Sequence, residues 1–335
     1  MAELPSARDR IATVFGGSGF VGRHIVRALA REGWRVRAAS RRPDLAGFLR
    51  PLGTVGQIEP VQANLRYPES IAAAMEGSEA VVNAAGIKIE QGRQSYEAVH
   101  VFGAAEIARA AHAQGVATFA LVSGIGSDAS SANPYIASKG RSEAETRSAF
   151  PGAVILRPSV VFGPEDEFFN RFAELARFLP ALPLFGGGST RLQPVFAGDV
   201  ALAALKAIDG RAKAGEIYEL GGPDVMTLRQ AVEFVLRVVE RRRALIGLPF
   251  NVSSLMAGST EIARAATLGL FPAVLTTTRD QIELLREDNV VSHKAIAEGR
   301  TLAGLGIEAQ GVEAIVPAYL VRYRKTGQYA PSRPA

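Results

Sequence analysis

Apolar and polar positions change rhythm repeatedly along the first half of the chain. Short β-rich apolar runs stand at 11–15, 35–40, 58–63, 80–86, 117–123 and 153–159, each of strand length. Between them the apolar positions fall at helical spacing: over 20–31, Val21, Ile25, Ala28 and Leu29 share one face. Pro68 and Gly77 bound a shorter helix, and longer helices are predicted over 94–113 and 135–148. Strands and helices in alternation, with the strands apolar on both faces, predict an α/β fold built on a Rossmann-type doubly wound parallel sheet. The second half is less regular. Residues 215–222 read as a strand and turn, 227–243 as an amphipathic helix, and 244–275 are rich in Leu, Ala, Phe and Gly. We expect a core over 1–164 and a smaller C-terminal lobe over 165–335. That lobe crosses back to the main sheet and ends in a disordered basic tail at 330–335.

Ligands of a doubly wound sheet collect at the carboxyl ends of its strands. The first strand runs into GGSGFVG, where Gly16, Gly19 and Gly22 have the spacing of a dinucleotide cradle. Gly16 permits the tight turn, Gly19 lets backbone approach a pyrophosphate, and Gly22 lets the helix pack close to the strand. Backbone amides and the helix N-terminus then face the anion, so Ser18, Phe20 and Val21 join the glycines as candidate contacts. The second strand ends in Ser40, Arg41 and Arg42, with no acid over 35–43. A carboxylate there would select NAD(H) through the ribose 2′-hydroxyl, whereas a guanidinium can bind a 2′-phosphate bidentately. NADP(H) is therefore expected over NAD(H). Asn64 and Leu65 follow the third strand, Ala84, Ala85 and Gly86 the fourth, and Pro158, Val160 and Val161 the sixth, completing the candidate cofactor contacts. Residues 1–164 thus read as an NAD(P)-binding core.

NPYIASKG sets Tyr135 and Lys139 four apart, on one face of a helix. An ammonium there would lower the phenol pKa, so that Tyr135 exchanges a proton with a carbonyl or alcohol as hydride moves. Ser123, at the end of the fifth strand, would orient that oxygen. Ser123, Tyr135 and Lys139 are thus the candidate catalytic residues. In the alternative, Lys139 binds the nicotinamide ribose and Tyr135 only packs. Phe162, Phe169 and Gln193 are candidate walls of a substrate pocket.

Composition narrows the chemistry. The absence of cysteine excludes disulfides and thiolate catalysis, and the four histidines are scattered with no pair at ligand spacing, so no metal is expected. The net charge of +5 comes mostly from arginines interleaved with acids, as on a solvated surface, and predicts no nucleic-acid partner. The C-terminal end differs: no acid follows Glu313, while Arg322, Arg324, Lys325 and Arg333 do, making a candidate contact for an anionic surface. Residues 1–10 are too polar for a signal peptide, and the longest charge-free run, 244–260, contains Pro249 and Asn251 and makes a poor spanning helix. The expected place is the cytoplasm, or the cytoplasmic face of an inner membrane.

In order along the chain, VFGGSGFVG, NAAG, YIASK, RPSVVFG and QPVFAGDVA resemble the extended or atypical short-chain dehydrogenase/reductase superfamily. FGPEDEFFNRFA and QPVFAGDVA narrow the resemblance to the nucleotide-binding alpha-subcomplex accessory subunit (subunit nine type) of respiratory complex I and its bacterial relatives. The resemblance spans residues 11–325 and weakens after 225. It implies NADPH held tightly in the Rossmann crevice and a place on the peripheral arm near the membrane. It also implies no role in passing electrons along the main chain. By position, Arg41 matches the basic residue for the 2′-phosphate, Tyr135 and Lys139 the superfamily pair, and Pro158 and Gly163 the loop behind the nicotinamide.

Three departures from the catalytic members stand out. His100 takes the place of an Asn that serves a proton relay, and Asn64 replaces an acid common near the adenine. Only eleven residues separate Ser123 from Tyr135, which counts against Ser123 as the substrate-facing hydroxyl. Two functions stay open. One is an NADP(H)-binding accessory or assembly subunit of NADH:quinone oxidoreductase (complex I). It would be membrane-associated and would dock peripheral-arm subunits. The other is a free-standing NADP-dependent reductase, or a sugar-nucleotide epimerase/dehydratase-type enzyme, using Tyr135 and Lys139.

Overall fold

A computed structural model describes residues 10–251, 279–325 and 327; residues 252–275 of the apolar run and the tail at 330–335 lie outside the described residues. Strand β1 (Ile11–Phe15) is apolar on both faces and takes an interior place in a parallel sheet. It pairs with β2 (Arg35–Ser40) on one side and β4 (Ala80–Asn83) on the other. With β3 (Ile58–Gln62), β5 (Thr118–Val122) and β6 (Val154–Pro158) the order runs β3-β2-β1-β4-β5-β6, and the strand Ile217–Leu220 adds a seventh beside β6. The order reverses at β1, so ligands are expected at the carboxyl ends of β1 and β4. Thr13 is the polar exception inside β1, and its hydroxyl is satisfied by Ser78 Oγ at 2.8 Å.

Helix α1 (Phe20–Arg31) packs against the helix Ala197–Ile208, while α2 (Pro68–Met75), α3 (Gly103–Ala113) and α4 (Pro134–Ala149) pack in series. Phe15, Ile71, Met75, Ile107, Phe119 and Ile155 form part of the buried core beneath them. The helix predicted over 94–113 is not uniform. A π-helical turn over Glu97–Phe102 leads into α3 and buries His100 and Val101.

The chain leaves this first unit at Pro158 and returns to it twice, over Ala197–Gly221 and Val291–Ala309. The expected division at 164/165 is therefore replaced by an interleaved one. The second return holds the edge strand: Arg300 Nη1 donates to Ile217 O at 2.7 Å, and Glu219 N donates to Arg300 O at 3.0 Å.

The second unit comprises the described parts of Ser159–Phe196, Gly222–Val290 and Gln310–Ala335. Its helices Phe169–Phe178, Leu228–Val238 and Val312–Leu320 enclose a core of their own. Thr227 and Gln230 close a capping box on the second of them. Phe162 and Phe169 are fully buried in this core and meet edge to face at 5.9 Å, which corrects their expected place on a pocket wall. Asp166 is buried nearby, where it accepts from Gly163 N, Phe168 N, Asn170 N and, at 2.5 Å, Tyr319 Oη. Among the described residues no helix is long and apolar enough to cross a membrane.

Candidate dinucleotide site

At the carboxyl ends of its central strands the first unit opens a cleft of about 610 Å³, within the usual range for small-molecule and cofactor sites. Gly16, Ser18 and Gly19 line it from the turn after β1, and Ser40, Arg41 and Arg42 from the end of β2. Asn64 and Leu65 after β3, with Ala84, Ala85 and Gly86 after β4, complete the sequence-predicted part of the lining. The three glycines serve different ends. Gly16 has φ +75°, and a Cβ there would lie 2.8 Å from Ala84 O. A Cβ on Gly22 would fall 2.0 Å from Gly16 O, so the helix could not approach the turn. On Gly19 it would meet only Gly16 O, at 3.1 Å, which leaves the cradle approachable.

Phe20, Val21 and Gly22 form the first turn of α1, which has neither a side-chain cap nor an acid. Its first-turn amides are therefore left for an anion. The end of β2 adds Ser40 Oγ, which is buried and makes no hydrogen bond among the described residues. Uncapped amides, an orphaned hydroxyl and a glycine cradle fit a nicotinamide dinucleotide whose pyrophosphate lies against α1.

The two arginines after β2 are not equivalent. Arg42 grips Asp44 through Nε at 2.9 Å and Nη2 at 2.7 Å, raising the guanidinium and lowering the carboxyl pKa. Asp44 lies just past the acid-free stretch and neutralises the second arginine. Arg41 is exposed on the cleft and, among the described residues, is the unengaged cation of the two. Asn64 spends its acceptor on its own turn, taking Arg66 N at 3.2 Å.

Around Tyr135 the expected electrostatics are reversed. Asn133 caps α4 by accepting from Tyr135 N and Ile136 N, which sets Tyr135 and Lys139 one turn apart. Burial raises the Tyr135 phenol instead of the ammonium lowering it. Lys139 is itself pushed down to about 8 by burial, and its Nζ donates to Val122 O at 3.3 Å. Desolvation is the leading cause at both groups, and the Glu143 carboxylate partly offsets it at Lys139.

Ser123 follows β5 directly. Its hydroxyl is buried, donates to Glu143 Oε1 and lies 3.0 Å from Ser127 Oγ. Arg157 completes the cluster with Nε at 2.9 Å and Nη2 at 2.6 Å from the Glu143 carboxylate. Ser123 thereby joins the end of β5 to α4 and, through Glu143, to Arg157 of β6.

His100 Nε2 accepts from Ile87 N at 3.0 Å, and Nδ1 faces Ser138 Oγ at 2.8 Å. Burial and the Lys139 charge push the imidazole down to about 3. A Cβ on Gly86 would come within 3.5 Å of His100 Nε2 and 3.6 Å of Lys139 Nζ, so the loop after β4 joins the cleft to the Tyr135–Lys139 helix. Tyr135, Lys139 and Pro158 themselves are not among the lining residues. Pro158 O accepts from Ile125 N at 3.0 Å, whereas Val160 and Val161 belong to the second unit.

Sequence reasoning missed Phe48, Arg66, Gln91, Arg93 and Gln94, which also line the cleft. Phe48 sits in the 3₁₀ helix Pro43–Leu52, and the others follow a strand or sit between β4 and the π-helical turn, where periodicity carries no signal. It also missed Glu143, although Glu143 follows Lys139 by one helical turn on a face that is buried.

The profile of the NAD dependent epimerase/dehydratase family matches residues 12–221. NADH dehydrogenase (ubiquinone) 1 alpha subcomplex subunit 9, mitochondrial, of Arabidopsis thaliana is 31% identical over 320 residues, covering 95% of this chain and 79% of that protein. The ceramide reductase of Caulobacter vibrioides is 32% identical over 291 residues, covering 86% of this chain and 88% of that protein. Among solved structures, a UDP-glucose 4-epimerase from Thermotoga maritima superposes with a TM-score of 0.67 at 17% identity, covering 94% and 99% of the two chains. This last likeness is one of fold.

Proposed function

The chain belongs to the NAD dependent epimerase/dehydratase family, and from that premise we propose that it is an NADP(H)-binding accessory or assembly subunit of NADH:quinone oxidoreductase. In this reading the dinucleotide is retained mainly as a structural element, on the cytoplasmic face of the inner membrane. Ser123 carries the reading: the hydroxyl expected to orient a substrate is taken by Glu143 and Ser127 inside the fold. Arg41, the guanidinium at the end of β2 that has no partner among the described residues, favours NADP(H) by offering a 2′-phosphate a charge-assisted partner. The relative named as a complex I subunit, alignable over nearly the whole chain, supports the partner assignment. A bound dinucleotide supplies redox chemistry where a substrate can reach it. Here Lys139 and Tyr135 would serve to hold its ribose.

A second reading, a free-standing NADP-dependent reductase or epimerase/dehydratase-type enzyme, draws on the intact Tyr135–Lys139 pair and on the similarity to a named reductase. Native separation of gently solubilised membranes distinguishes the two. The first reading expects the chain to migrate with NADH:quinone oxidoreductase activity, carrying NADPH, and expects Tyr135→Phe to change neither property. Migration alone, together with Tyr135-dependent oxidation of NADPH by a carbonyl compound, would replace it with the second.

A further inference from the structure

We infer that His100 is a positioning residue. It pins Gly86 and Ile87, at the cleft, to the helix that carries Tyr135 and Lys139, and it takes no part in proton transfer. The inference rests on the reading that the cleft holds a nicotinamide dinucleotide. Its geometry begins with a donor that has no choice of role. The Ile87 amide can only donate, so His100 Nε2 accepts at 3.0 Å and the ring proton sits on Nδ1. Nδ1–H then donates to Ser138 Oγ at 2.8 Å, and the Ser138 hydroxyl donates to Tyr135 O at 2.7 Å. The chain of bonds has one direction and ends on a backbone carbonyl. Neither ring nitrogen is left for a water or a substrate.

The surroundings hold the ring in this state. It is stacked on Tyr96 with centroids 5.4 Å apart and meets the edge of Tyr135 at 5.7 Å. Tyr96 in turn fixes the loop beyond Ile87, donating from Oη to Lys88 O at 2.9 Å and from its amide to Glu90 Oε1 at 2.6 Å. Burial opposes a charge on His100 and the Lys139 cation opposes it further, so the imidazole stays neutral across the physiological range. A relay group must take and release a proton near the working pH, and His100 does neither. The π-helical turn over Glu97–Phe102 carries the ring to this place.

Two measurements on the full-length protein test this. Nitrogen-edited NMR of the wild type should report a neutral Nδ1–H tautomer at His100 with no titration between about pH 5 and 9. NADPH affinity should fall roughly tenfold in His100→Asn, which is too short to accept from Ile87, the factor for one buried hydrogen bond. His100→Gln, whose amide oxygen reaches the Nε2 position, should restore most of that loss. An Nε2–H tautomer, titration inside that window, or wild-type NADPH affinity in His100→Asn would each overturn the inference. If the tautomer is as expected but wild-type protein binds no dinucleotide, the site reading fails, and with it the positioning role. The NMR result identifies that failure as distinct from a missing pin.

Discussion

Glu143 and Arg157 hold the Ser123 hydroxyl in a buried cluster. The carboxylate is buried and would be costly there alone; Arg157, with a side chain 20% exposed, binds it through two nitrogens, and Ser123 donates to the same group. Glu143→Ala should therefore cost about 3 kcal/mol in urea unfolding, the lower end for a broken buried pair because Arg157 keeps some solvent. A cost below about 1 kcal/mol would mean the pair behaves as a surface one. Arg41 and Arg42 make the complementary case. They are adjacent and chemically identical in the sequence, and only Asp44 separates them. Arg41→Glu should weaken NADPH relative to NADH by roughly 10- to 100-fold, the loss of a hydrogen bond to a charged group, whereas Arg42→Ala should shift the ratio little. Equal effects of the two substitutions on the NADPH/NADH affinity ratio would reassign the 2′-phosphate site. Motif spacing could bring both arginines to the strand end. Which one is free depends on a side-chain pairing that spacing does not encode.

Elements were legible wherever periodicity was strong. The strands at 11–15 and 35–40 and the helix at 20–31 fall where the apolar pattern predicts, because those runs are buried on a regular schedule. The π-helical turn was not legible, since widening one turn inside a longer helix leaves the surrounding period nearly intact. It matters for pH dependence, because it buries His100. The neutral form is favoured in the fold, with a pKa of about 3 against about 6.5 unfolded. Above pH 6.5 both states are neutral and this residue contributes no slope. Between 6.5 and 3 the unfolded chain takes a proton that the fold refuses, so stability falls as pH falls. Lys139 acts over another window: with a folded pKa of about 8 against about 10.4 unfolded, it makes stability rise between those values. Unfolding curves without dinucleotide should show both slopes, and His100→Gln should remove the acid one. If that slope persists unchanged, His100 is not its source. At α1, Gly22→Ala should disrupt folding, since its Cβ would collide with Gly16 O, while Gly19→Ala should fold and bind the dinucleotide less tightly. Circular dichroism beside a binding titration separates the two outcomes.

At the scale of the molecule, the chain contributes to its first unit in three separate pieces, and all the residues lining the dinucleotide cleft come from the first of these. The return at Ala197–Gly221 supplies both the helix packed on α1 and the seventh strand. A linear reading of the second half could propose a crossover to the main sheet. Where it re-enters depends on α1 accepting Ala197–Ile208 as its packing partner, which no local pattern announces. This layout has a thermodynamic consequence for a retained dinucleotide. A ligand that binds only the folded cleft stabilises it by RT ln(1 + [L]/Kd), about 2.7 kcal/mol at a hundredfold excess over Kd. For a unit of this size that corresponds to a rise of roughly 5–10 °C in its midpoint. Because the lining lies wholly in the first unit, a calorimetric scan with NADPH should raise that unit's transition, while the transition of the second unit stays in place. Limited proteolysis during the scan identifies each transition by the fragments that become susceptible. A common shift of both transitions would show that the two units unfold as one cooperative body. No shift at saturating NADPH would remove the cofactor's structural role, leaving the Tyr135–Lys139 helix to be tested for turnover.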